Sequence, residues 1–168
     1  MKKLNLLKSV LDFLWIVSMP LIPIIIFFIP FLFLSDTLND FPFKMNGQEV
    51  YVVDFGAKII LALMLISYLF LIYCLYLFRK VLRYFQKLKI FDTFVYLTMN
   101  RIGVLLVIAA FISGVPSFIY RLFYQNKFEL DLSISPFILT LALGLFFMVL
   151  SEVFKIAQAA KDDSELTI

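Results

Sequence analysis

Four stretches of the chain carry no charged residue over the length of a bilayer. They are residues 13–34, 59–78, 102–120 and 132–151, which are 22, 20, 19 and 20 residues long. A hydrocarbon core of about 30 Å needs about 20 apolar residues in a helix. Helices are required because open strands leave backbone groups unpaired in lipid. The pattern predicts an all-α membrane protein, a bundle of four transmembrane helices. Its spans are expected at about 13–34, 59–78, 102–120 and 134–153, since the first residues of the fourth run are not expected to be helical.

Prolines modulate this pattern. Pro20, Pro23 and Pro30 each remove a backbone N–H in the first run. The first helix is therefore expected to kink around Pro20 and Pro23 and to fray near Pro30. Pro116 lies inside the third run. The first run is longer than the roughly 7–15 residues of a signal peptide's apolar region, and no small-residue cleavage site follows it. An uncleaved first span is expected.

Between the first two spans the pattern changes period. Residues 41–53 read FPFKMNGQEVYVV, and Asn46 with Gly47 favours a two-residue hairpin turn. That register places Lys44 opposite Glu49 and Phe43 opposite Val50. Residues 128–134 read FELDLSI, an alternation of apolar and polar positions. The expected result is a small extracytoplasmic three-stranded antiparallel sheet, a lid over the outer helix ends.

Charge sets the orientation. The N-terminus, the 79–101 segment and the C-terminal end hold eleven Lys and Arg residues, while the 35–58 and 121–133 connections hold four. The positive-inside rule places both termini and the basic 79–101 hairpin in the cytoplasm. Arg79, Lys80, Arg83, Lys87 and Lys89 concentrate in that hairpin, as contacts for anionic headgroups or a partner. The second helix is expected to run on to about Leu88. Asp92 is expected to cap the next helix, and the last helix to end near Ala160. An acidic tail, residues 161–168, closes the chain.

Composition narrows the chemistry. A 63% hydrophobic content excludes a water-soluble domain of 168 residues. Without histidine the commonest general base and metal ligand is missing. The lone Cys74 reads as a small hydrophobe. Neither a catalytic nor a metal nor a cofactor site is predicted, and the chain is not expected to be an enzyme. The polar residues of most interest are Asp12, Arg101 and Glu152, each at the cytoplasmic end of a span. They are expected to form an intramembrane clasp with Arg101 between the two acids. Small residues at Ala109, Ala110, Ser113, Gly114 and Ser117 predict close packing of the third span.

Two stretches carry a family resemblance. Phe91, Asp92, Arg101, Ile102 and Gly103 resemble the opening of the third span in the bacterial domain-of-unknown-function family 2975. Glu152, Phe154, Lys155, Asp162, Asp163, Glu165 and the terminal Leu166, Thr167 and Ile168 resemble its ending. The family often has Gly and Pro just before that phenylalanine, where this chain has Leu88, Lys89 and Ile90. The resemblance implies a bacterial cytoplasmic (inner) membrane protein without an established activity. It also implies an association with a small helix-turn-helix regulator of the phage-repressor type. The expected role is a non-enzymatic membrane regulator or scaffold. Its expected partners are the anionic bilayer surface, a cytoplasmic DNA-binding regulator and further copies of the chain, with no direct nucleic-acid contact. The alternative is a small transporter or channel subunit, for which the 113–116 segment is the candidate break.

Overall fold

The computed structural model describes residues 2–34, 42–45, 48–51, 55–124 and 136–166. Five helices and one hairpin follow in order: α1 (Lys2–Ser18), α2 (Leu21–Leu34), β1 (Pro42–Met45), β2 (Gln48–Tyr51), α3 (Phe55–Gln86), α4 (Thr93–Tyr124) and α5 (Pro136–Leu166). Among the described residues four helical segments are long and apolar enough to cross a membrane, with α1 and α2 together forming the first. The chain is a multi-pass membrane protein.

The first span breaks where its prolines demand. Met19 donates to the carbonyl of Trp15, and Pro20 has no N–H to continue the ladder. Pro23 falls in the first turn of α2, where an N–H lacks an intrahelical partner anyway. The Ser18 hydroxyl donates to the Leu14 carbonyl at 2.7 Å, occupying an acceptor at the end of α1. The expected fraying at Pro30 does not occur, because α2 continues through it to Leu34.

α3, α4 and α5 run antiparallel to their neighbours. Ser67 donates to the Ala109 carbonyl at 2.8 Å and Ser151 to that of Tyr96 at 2.7 Å. The Cys74 thiol lies 3.8 Å from the Ile102 carbonyl. Three side chains from both flanking helices thus bond to the backbone of α4, which sits between them. The core joins Cys74, Leu77 and Val81 of α3 to Val95, Met99, Ile102 and Leu106 of α4 and Phe147 of α5. Glycines let α4 and α5 approach. A Cβ on Gly103 would stand 2.7 Å from the Gly144 carbonyl and 2.9 Å from the Met148 nitrogen. Such closeness suits helices in lipid, where packing rather than water exclusion drives association. Ala109 and Ala110 are fully buried, as their spacing predicts.

The expected three-stranded sheet is corrected: among the described residues the sheet has two strands, β1 and β2. Its register pairs Lys44 with Glu49 and Phe43 with Val50. The Asn46–Gly47 turn and the 128–134 stretch lie outside the described residues. The packing between elements is concentrated among the helices, above all α4 with α5 and α3 with α4.

Candidate functional site

At one end of the bundle the α3–α4 turn meets the N-terminal half of α1, and the basic residues gather there. α3 has 32 residues, about 48 Å at 1.5 Å per residue, so it outreaches a core of about 30 Å. Its last turn is closed by backbone bonds. Lys89 donates to the Tyr84 carbonyl and Leu88 to that of Phe85, each at 3.1 Å. This is the Schellman pattern, which needs a left-handed residue at the position Leu88 occupies. Leu88 has φ of 58°. It is one of the three residues standing where the family resemblance expects Gly and Pro.

The next helix starts as its sequence predicts. The Asp92 carboxylate accepts from the Phe94 N–H at 2.8 Å, and its carbonyl accepts from Val95 at 2.9 Å. Lys87 and Lys89 at this turn and Arg83 in the last turn of α3 are exposed, while Arg79 and Lys80, further back on α3, are partly covered. Lys80 places its ammonium 4.6 Å from the ring centroid of Tyr76, a cation–π contact. Tyr76 also packs against Trp15 of α1, with centroids 5.1 Å apart.

α1 is fastened to this end by polar contacts. Arg79 donates to the Asp12 carboxylate in an ion pair whose side chains are 21% and 30% exposed. Gln86 donates to Asn5 at 2.9 Å. Around that amide pair, Leu4, Phe85, Leu88 and Ile90 line a shallow pocket of about 250 Å³. Leu11 is the buried residue of α1.

The expected clasp takes a different form. Asp12 pairs with Arg79 rather than Arg101, and both Arg101 and Glu152 lie on exposed faces. The reason is helix order: α1 packs against α3, so the nearest cation at its level belongs to α3. Sequence reasoning placed Arg79 with the surface basic residues. The signal that marks it otherwise is its position immediately after an uncharged run, as Asp12 stands immediately before one. Gly103 enters the sequence reading only through the family resemblance, and Gly144 is a lone glycine in an apolar run.

Among the described residues, no three of Cys, Asp and Glu converge to hold a metal ion. α4 continues through Pro116 to Tyr124, so residues 113–116 do not interrupt the helix.

No curated protein and no solved structure matches the chain. Residues 12–168 match the family described as protein of unknown function (DUF2975). That match takes in both the capped α3–α4 turn and the acidic C-terminal end, and the chain belongs to the DUF2975 family.

Proposed function

We propose that this chain is a non-enzymatic regulator or scaffold of the bacterial inner membrane. In this reading both termini and the α3–α4 turn face the cytoplasm, and the basic face holds a small helix-turn-helix transcription factor through an acidic surface. The observation that carries the reading is the pairing of exposure with rigidity. Arg83 in the last turn of α3 and Lys87 and Lys89 just after it are exposed, next to a turn closed by a Schellman motif on one side and an Asp cap on the other. Charge held on a rigid support discriminates between partners, because like charges brought together cost several kcal/mol.

The eleven-to-four distribution of Lys and Arg supports the cytoplasmic orientation. The apolar core cluster and the continuous α4 favour a regulator over a transporter. Transporters place ionisable or helix-broken sites near mid-depth. The test is charge reversal, Arg83→Glu with Lys87→Glu. Partner retention falls about tenfold or more while membrane insertion is unchanged. Equal retention by the double variant overturns the reading.

A further inference from the structure

We infer that two copies of this chain pair in the membrane through the α4–α5 face, with Arg101 of each copy bonded to Glu152 of the other. α4 exposes a stripe of Leu97, Arg101, Val104, Ile108, Phe111 and Val115. α5 exposes Ile138, Leu145, Val149, Glu152 and Ile156. Each stripe is apolar except for one charge, and the two charges are opposite.

The stripes share one side of the molecule. At about 100° per residue, each lies about a quarter turn round its helix from the α4–α5 contact. α3 meets the other side, through Ala109 on α4 and through Phe147 on α5, which packs on Phe78. The charges also share a level. Ser151 bonds at Tyr96, and Gly103 packs against Gly144 and Met148. Glu152 therefore lies about one helical turn from Arg101 along the membrane normal, within reach of an arginine side chain.

Within one copy neither charge is satisfied. Among the described residues neither Arg101 nor Glu152 has an ion pair or hydrogen bond. Charges within a span are costly and pair with one another. A two-fold axis along the membrane normal makes the same contact twice, since a two-fold interface is self-complementary. It supplies both partners without moving a helix.

Charge reversal separates this pairing from an intramolecular one. In liposomes, copies per spot are counted by single-molecule photobleaching, and pairing of differently tagged copies by co-capture. The wild-type chain is dimeric. R101E alone and E152R alone each weaken self-association about tenfold or more. Mixing R101E copies with E152R copies restores pairing, because both cross-contacts are again opposite in sign. A monomeric wild-type chain overturns the inference, whatever the variants do. Unchanged self-association of both single variants, or failure of the mixture to pair, overturns it as well.

Discussion

Arg79 on α3 and Asp12 on α1 form an ion pair at the basic end of the bundle, and that pair fastens the first span to the rest. The Asn5–Gln86 bond, the Trp15–Tyr76 ring pair and the buried Leu11 add to that contact, and Ile25 and Leu32 of α2 are buried as well. Replacing Asp12 by Ala leaves a partly covered guanidinium without its acceptor. The expected cost is about 1–2 kcal/mol, kept modest by the partial exposure of both groups. Thermal unfolding in mild detergent reads it. In a double-mutant cycle with Arg79→Ala the double variant should lose less than the sum of the single losses, since either single change already removes the pair. Additive losses would show that the two side chains act independently.

Gly103 and Gly144 predict an asymmetric pair of effects. A methyl group at Gly103 meets backbone atoms of α5 at 2.7 and 2.9 Å, and backbone cannot swing aside. At Gly144 the closest atom is a Val107 methyl at 2.9 Å, with the Gly103 carbonyl at 3.0 Å. Gly103→Ala should therefore cost about 1–3 kcal/mol as α4 and α5 are forced apart, and Gly144→Ala less. The order of the two melting temperatures checks this.

The α3–α4 turn makes the opposite kind of prediction. Leu88 holds a left-handed conformation that costs an ordinary residue roughly 1–2 kcal/mol. Its side chain is 69% exposed, so little packing is lost with it. Leu88→Gly should raise stability by about 1 kcal/mol in the same unfolding measurement. On the far side of the turn, Asp92→Ala removes the cap bond to Phe94 and should lower it by about 0.5–2 kcal/mol.

Orientation yields a separate expectation. A cysteine introduced by Lys87→Cys on a Cys74→Ser background should react with a membrane-impermeant maleimide in inverted inner-membrane vesicles. It should be protected in intact spheroplasts. The reverse pattern would move the basic end outside the cell and remove the cytoplasmic partner from the account.

Much of this architecture was legible in the chain. Uncharged runs of bilayer length locate the spans, because lipid tolerates neither charge nor unpaired backbone. Asp92 as a cap and the break near Pro20 follow from local rules that no tertiary contact overrides. Pro30 shows the limit of such rules: one lost bond does not end a helix that lipid still favours over open backbone. The expected sheet of three strands has two among the described residues, and these are the strands that the Asn46–Gly47 turn signal and the Lys44–Glu49 register pointed to. The clasp was half legible. Depth along the chain placed Asp12, Arg101 and Glu152 near one level, but depth does not say which helices are neighbours. Packing of α1 on α3 decides that, and it gives Asp12 to Arg79.

The account turns on the basic face of the α3–α4 turn, and one measurement addresses it most directly. The tagged chain is captured from native membranes in mild detergent, alongside an Arg83→Glu, Lys87→Glu variant inserted to the same level. Proteins retained by each are identified and quantified. The account predicts a small DNA-binding protein at near-equal stoichiometry with the wild-type chain and its loss, about tenfold or more, from the variant. Recovery of the same partner in equal amount by both, or of the chain with nothing but its own copies, would contradict it.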